Sequence, residues 1–291
     1  MKVLLIHPPN EVMDRTSHVF SGLGNVLPLW AGYLGVVLEE AGHEVTFLDL
    51  QLNQQKTVLQ ECNVVGISVT TPTAYSGYKI AKLFKENSDA KVVLGGPHVT
   101  ALGAKVFEEC PYVDTLVVGE GEQSILEAIQ PSSRRIVSSP FIEDLDSLPI
   151  PAYHLFDFAR YRPMTGMFKR LPFANILSSR GCPYTCIFCA RIWGKKLRMR
   201  SVPHIIAEIK FLTENYGIRE VAFFDDTFTI SRRRTLEFCK QFKANFPRLV
   251  WKCSTRVDRV DERLLSAMYD SGCYSVGVGL ESGNQRLLNI M

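Results

Sequence analysis

The chain has 291 residues, 46% of them apolar, and its 33 Lys and Arg against 30 Asp and Glu leave a formal net charge of +3. That length suits two domains with sizeable cores, and so small a charge excludes the basic footprint that dominates a nucleic-acid-binding domain. The apolar run in MKVLLIHPPN is too short for a membrane span, and its prolines break it before a signal-peptide core forms. The expectation is a cytoplasmic globular protein. In such a protein eight cysteines serve metal binding, catalysis or packing rather than a disulfide framework.

From residue 2 onward, short Val/Ile/Leu runs alternate with helical patterns: KVLLIH, a helix over 28–41, EVTFLDL, NVVGISVT, a helix near 74–87, KVVLGG, another helix, and DTLVVG. Continuous apolar strands between amphipathic helices predict a five-stranded parallel sheet covered on both faces. This is an α/β domain of flavodoxin-like (Rossmann-like) type over residues 1–130. Such sheets bind ligands beyond the strand carboxyl ends. The segments there are Pro8-Pro9-Asn10, Ser68-Val69-Thr70-Thr71, Gly95-Gly96-Pro97-His98 and Gly119-Glu120-Gly121-Glu122. They are small and polar, and together they fit one large planar or branched ligand. No G-x-G-x-x-G follows the first strand and no P-loop motif occurs, so dinucleotide and P-loop readings lose their main support. His7 and His98 stand at strand ends, where a lone histidine is more often hydrogen-bonded structure than a ligand.

Residues 131–172 are proline-rich and lack sustained periodicity, which reads as a domain connector. Beyond it, over 173–291, come FANILSSRG, a helix from Ser201 with Ile205, Ile209, Leu212 and Tyr216 on one face, and REVAFFDD. A helix from Ser231 follows with Leu236, Cys239, Phe242 and Phe246 inward, then VWKCSTRV, a helix from Asp261 closed by Gly272, and YSVGVGLES. Four βα repeats predict part of a (β/α) barrel of the TIM-like kind, with its chemistry at the strand carboxyl ends. Those ends hold the RGCPYTCIFC loop, Asp225 and Asp226, Ser254 and Arg256, and Glu281 and Ser282. The basic runs KKLRMR at 195–200 and RRR at 232–234 read as solvated faces, or as a patch for an acidic electron-donor protein.

Cys182, Cys186 and Cys189 fall within eight positions. A disulfide would leave one thiol over, whereas C-x-x-x-C-x-x-C lets one loop aim three sulfurs at a single centre. Structural zinc wants four ligands, and no second C-x-x-C or H-x-x-x-H is near. Three thiolates on a cubane iron–sulfur cluster leave its fourth iron open to chelate a substrate or cofactor. Cys62, Cys110, Cys239, Cys253 and Cys273 lack ligand spacing and read as small core residues.

The cysteine spacing, with Phe188 before the last cysteine and βα repeats around it, resembles the radical S-adenosylmethionine superfamily. Ser68-Val69-Thr70 and the pair Gly95-Gly96 resemble the S-x-[LT] and paired-glycine elements of cobalamin-binding domains, although D-x-H-x-x-G is missing. The pairing is similar to the cobalamin-binding radical enzymes that include anaerobic magnesium-protoporphyrin monomethyl ester cyclase and many carbon methyltransferases. The resemblance implies a 4Fe-4S cluster on Cys182, Cys186 and Cys189, S-adenosylmethionine, and cobalamin without a histidine on cobalt. It also implies a 5′-deoxyadenosyl radical, used most simply for C-methylation of an unactivated carbon. The alternatives are a radical cyclase or rearrangement enzyme without methyl transfer, and a non-enzymatic cobalamin or redox sensor. Expected cofactor contacts are Ser68, Thr70, Thr71, Gly95, Gly96, His98, Gly119, Glu120 and Gly121 in the first domain. In the second they are Phe188, Asp225, Asp226, Arg256, Glu281 and Ser282. An organic substrate and an electron donor such as flavodoxin or ferredoxin complete the implied partners. The family's barrel has six βα units against the four counted here, so the expectation is a truncated gene product.

Overall fold

Six parallel strands build the first sheet, and those at its centre bury Val, Ile and Leu on both faces. The computed structural model describes residues 1–10, 25–52 and 59–291. They divide into one unit of Met1–Ile142 with Leu148–Thr165 and another of Glu143–Ser147 with Gly166–Met291. In the first unit the order along the chain is β1 (Lys2–His7), α1 (Leu29–Glu40), β2 (Glu44–Asp49), β3 (Val64–Ser68), α2 (Ala74–Asn87) and β4 (Lys91–Gly95). It continues with α3 (Pro97–Leu102), α4 (Val106–Glu109), β5 (Thr115–Val118), α5 (Ile125–Ala128) and β6 (Ile136–Ser138). The strands lie in the order β2-β1-β3-β4-β5-β6, all parallel. Leu4, Ile6, Val65, Ile67, Val92, Leu94 and Leu116 pack against Ile80, Ala81 and Phe84 of α2 in one apolar cluster. The removal of that apolar surface from water is what holds the layers together.

One strand more than the sequence pattern predicts is present. β6 lies inside the stretch 131–172 that reads as a connector, and it escapes a periodicity argument because Val137 is its one buried residue. Residues 148–165 also belong to the first unit: the Ala152 N–H donates to Gly32 O at 2.9 Å, and Phe156 meets Phe47 edge to face.

The second unit contains β7 (Phe173–Ile176), β8 (Ser179–Arg180), β9 (Arg198–Met199), α6 (Val202–Tyr216), β10 (Glu220–Phe223) and α7 (Arg232–Asn245). β11 (Val250–Thr255), α8 (Glu262–Asp270), β12 (Cys273–Val278) and α9 (Gln285–Ile290) follow. β12-β11-β10-β7 form a parallel sheet, and β8 and β9 pair antiparallel apart from it. Helix starts follow capping chemistry: Ser201 Oγ accepts from the His204 N–H at 3.3 Å, and Asp261 Oδ1 from the Leu264 N–H at 2.8 Å. On α7 the buried residues are Thr235, Phe238, Cys239 and Phe242. Phe238 takes the inward place expected of Leu236, because a ring there completes an aromatic nest with Phe223, Phe228 and Trp251.

Trp251 is fully buried at the centre of that nest, with Phe223 and Phe238 standing edge-on at 5.7 and 5.2 Å. Such T-shaped pairs add to the area they bury. The Trp251 Nε1–H donates to Ser271 O at 3.2 Å, so its polar end is satisfied too. Trp251→Ala is expected to lower the unfolding free energy by about 3–5 kcal/mol, measured by urea titration with tryptophan-independent circular dichroism.

Candidate functional site

In the second unit, the strand ends around the cysteines are tied together by one carboxylate. Asp225, two residues past β10, is buried and accepts from the Ser178 N–H at 2.7 Å, from Ser178 Oγ at 2.5 Å and from Ser179 Oγ at 2.6 Å. Ser178 and Ser179 lead directly into the cysteine loop. On the far side of the loop the Arg200 N–H donates to Ser178 O, and Arg200 Nη1 to Leu177 O at 2.9 Å and to the fully buried Glu208 of α6. Arg234 of α7 donates to Arg200 O at 3.0 Å and to Ser178 O at 2.6 Å; burial draws its pKa below the usual arginine range. The basic runs at 195–200 and 232–234 are therefore only partly solvated faces. Arg198 and Arg200 are buried, and Arg234 is turned inward as a clamp.

The loop neck closes on itself above these clamps. The Cys182 N–H donates to Gly194 O at 3.2 Å, Arg198 Nη2 donates to Trp193 O at 3.1 Å, and the Arg180 guanidinium lies 4.6 Å from the Trp193 ring centre. Gly181 has φ +87°, and a Cβ there would run into Lys196 O, so glycine is required at the crossing. Residues 181–190 contain no helix or strand. Cys182 and Cys186 are half-buried, Cys189 is exposed, and all three are free thiols. Among the described residues no group of three or more His, Cys, Asp or Glu is gathered tightly enough to hold a metal ion. The donor set nonetheless fits a three-thiolate cluster: three accessible thiols on one irregular loop, with its neck fixed. The other five cysteines are buried or half-buried, and burial pushes the Cys239 thiol up to about 11.

The remaining expected contacts of this unit separate into held and open. Asp226, the neighbour of the fully engaged Asp225, keeps an exposed surface, yet the protein around its carboxyl partly desolvates it, and this, then the Asp225 charge, raises its pKa above the usual range. Cys182 Sγ is 3.9 Å from Thr227 Oγ1, which brings the end of β10 to the loop. Arg256, at the end of β11, forms a bidentate pair with Asp258 and raises its own pKa by it. Phe188 is 55% exposed. Glu281 is exposed with φ +57°, and the Ser282 N–H donates to Leu280 O at 2.6 Å. Ser254 is exposed on the late part of β11.

In the first unit the glycine loops divide in the same way. A Cβ on Gly96 (φ +101°) would stand 2.6 Å from Val69 O and 2.8 Å from Ser68 Oγ, so this glycine lets two loops of the chain cross. The space beside its Cα is thus taken by the chain itself. Gly119 has φ +86° and nothing within 4 Å of an added Cβ, while Thr70 and Thr71 are exposed and Ser68 is half-buried. These groups leave an open edge beyond β3 and β5. Glu120 is buried and accepts from the Ile142 N–H at 2.7 Å, which makes it an anchor of the chain leaving β6. His98 Nδ1 meets Thr71 Oγ1 at 3.1 Å and its Nε2 meets Tyr78 Oη at 3.0 Å; Tyr78 in turn donates to Glu109 at 2.7 Å. His7 Nδ1 lies 3.3 Å from Asp49, and its Nε2 is 3.1 Å from Gln51 Nε2. His98 is thus engaged at both ring nitrogens, whereas the buried Nδ1 of His7 has no hydrogen-bond partner among the described residues and only its Nε2 is held.

Asp225→Ala strips the acceptor from three donors and is expected to cost about 1–3 kcal/mol. Hydrogen–deuterium exchange should quicken at residues 178–182 and 198–200 while β1, β3 and β4 keep their protection; equal exchange in all these segments would contradict the role given to Asp225.

Comparison with known proteins follows the same division. A B12 binding domain model matches residues 19–129 and a radical SAM superfamily model matches residues 176–291. An uncharacterized methyltransferase of Pyrococcus horikoshii is 32% identical over an alignment covering 100% of this chain and 68% of its own length. The anaerobic magnesium-protoporphyrin IX monomethyl ester cyclase of Rubrivivax gelatinosus is 29% identical, again across 100% of this chain but 57% of its own length. Among solved structures, the radical S-adenosylmethionine methyltransferase TsrM of Kitasatospora setae, with cobalamin and a [4Fe-4S] cluster bound, superposes with a TM-score of 0.72. Its identity is 19%, and the match covers 99% of this chain and 60% of that one, a likeness of fold. The chain thus spans between about half and two thirds of these relatives. Carrying both domains in this order and aligned over its whole length with a relative at 32% identity, the chain belongs to the cobalamin-binding radical S-adenosylmethionine family.

Proposed function

We propose that this chain serves C-methylation of an unactivated carbon in an organic substrate, by radical S-adenosylmethionine chemistry joined to cobalamin. The observation that carries the reading is the cysteine loop, whose neck is fixed by buried contacts at the carboxyl end of a parallel βα sheet while its three thiols stay free. Cys182, Cys186 and Cys189 would hold a 4Fe-4S cluster through three of its irons. When bound, the cluster with S-adenosylmethionine supplies one-electron cleavage of a carbon–sulfur bond, and cobalamin supplies a transferable methyl group. Around the loop, Asp226 and Glu281 offer carboxylates, Ser282 a hydroxyl and Phe188 an apolar face to orient the cofactor. In the first unit Ser68, Thr70, Thr71 and the backbone near Gly95, Gly119 and Gly121 would line the corrin edge, and His98, bonded at both ring nitrogens, is not left for cobalt.

The name of the Pyrococcus relative supports methyl transfer. The Rubrivivax cyclase supports a second reading, oxidative ring formation by the same radical chemistry. A cobalamin or redox sensor has no such support, since these relatives are named as enzymes. A radical enzyme needs a reductant, and a flavodoxin or ferredoxin of the cytoplasm fits that need; no described helix is long and apolar enough to cross a membrane.

Anaerobic reconstitution tests the assignment: the protein should carry about four irons, and Cys182→Ala, Cys186→Ala or Cys189→Ala should each remove most of them, while Cys253→Ala should not. Stoichiometric zinc in place of iron would overturn it. Incubation with S-adenosylmethionine, reductant, cobalamin and a cell extract should yield both 5′-deoxyadenosine and S-adenosylhomocysteine; deoxyadenosine alone favours the cyclase reading. For the first unit, the cob(II)alamin paramagnetic resonance spectrum should lack nitrogen superhyperfine splitting. Splitting that vanishes in His7→Ala or His98→Ala would refute the histidine-free site.

A further inference from the structure

Arg256 follows the last residue of β11, and its guanidinium carries five N–H donors in a rigid fork. Nε and Nη2 donate to Asp258 Oδ1 and Oδ2 at 3.0 and 3.2 Å. The guanidinium carbon lies over the Tyr184 ring, 3.9 Å from its centre, and that of Arg259 approaches the same ring at 5.2 Å. With one edge held by a carboxylate and one face by an aromatic ring, the remaining nitrogen has a fixed direction. Nη1 donates to Cys186 Sγ at 3.6 Å. Tyr184 and Cys186 are two residues apart on the cysteine loop, so the platform and the sulfur move together. Cys182 Sγ, by contrast, meets the neutral hydroxyl of Thr227 at 3.9 Å.

We propose that Arg256 is a tuning residue for the cluster, acting through Cys186, in place of the cofactor-carboxylate partner that the sequence resemblance implies. The proposal rests on the reading of the three cysteines as cluster ligands. A cationic N–H directed at one ligand sulfur stabilises negative charge there. The reduced cluster carries one more negative charge than the oxidised one, so the reduced form gains more and the reduction potential rises. Asp258 moderates the effect by keeping the guanidinium from swinging towards solvent or a bound carboxylate. The arrangement also distinguishes the three ligands, because one sulfur receives the charged donor.

The test is a redox titration of the reconstituted full chain, followed by paramagnetic resonance, with iron content and S-adenosylmethionine binding by equilibrium dialysis measured on the same samples. Arg256→Gln should retain the iron of the unaltered protein, shift the potential to more negative values and leave S-adenosylmethionine affinity within about twofold, about 0.4 kcal/mol. Arg256→Lys, which keeps the charge without the fork, should fall between. Tyr184→Leu, which removes the platform, should shift the potential in the same direction as Arg256→Gln. An unchanged or more positive potential in a fully loaded Arg256→Gln protein overturns the proposal, as does a loss of S-adenosylmethionine affinity at unchanged potential, which would return Arg256 to the carboxylate. Failure of the unaltered protein to take up iron would instead strike the ligand assignment beneath it.

Discussion

A single buried carboxylate governs the geometry of the cysteine loop. Asp225 accepts three hydrogen bonds from Ser178 and Ser179, and a buried carboxylate is tolerated only where donors of this kind replace its water. Because the donors belong to the neck of the loop, the requirement of the charge becomes a constraint on where the thiols start. Arg234 and the Arg200–Glu208 pair extend the constraint to the other end of the loop. Removing one partner of such a set leaves another buried and unmatched, so the set is retained or lost together.

The two units solve similar problems with different parts. In the first, Gly96 permits two strand-end loops to cross and His98 ties Thr71 to Tyr78 and Glu109. Burial and the bond to Glu109 push the Tyr78 phenol upward, which keeps it a donor in that chain. These interactions hold the loops against the chain itself and leave Gly119, Thr70 and Thr71 facing outward. In the second unit the fixed parts are charged and buried, and the open parts are thiols.

Much of this was legible in the residues, for identifiable reasons. The runs VLLI in the first strand and VVGI in the third are apolar at every position, which only a sheet covered on both faces accommodates, and the strands appear where those runs lie. β6 was hidden because three residues with one inward side chain set no period. The pair Asp225 and Asp226 looks symmetrical in sequence, yet alternation past the end of β10 buries Phe223, Asp225 and Thr227 and exposes Phe224 and Asp226. That alternation was the available signal for telling the anchor from the open carboxylate. The partners of His98 and of Arg234 come from distant positions, 71, 78 and 109 for one and 178 and 200 for the other. No local pattern announces such contacts, and the basic run at 232–234 therefore read as surface.

The neck of the cysteine loop also fixes an order of events during biogenesis. Its clamps reach from Ser178 to Asp225 and Arg234, separations of 47 and 56 residues, so they close only after β10 and the start of α7 have emerged and docked. Contacts this remote form late, because loop closure must precede them. While the ribosome is still short of that point, Cys182, Cys186 and Cys189 hang on an unanchored segment. In the folded unit the three thiols therefore leave from a neck already set by the sheet, whereas in the nascent chain nothing yet fixes where they start.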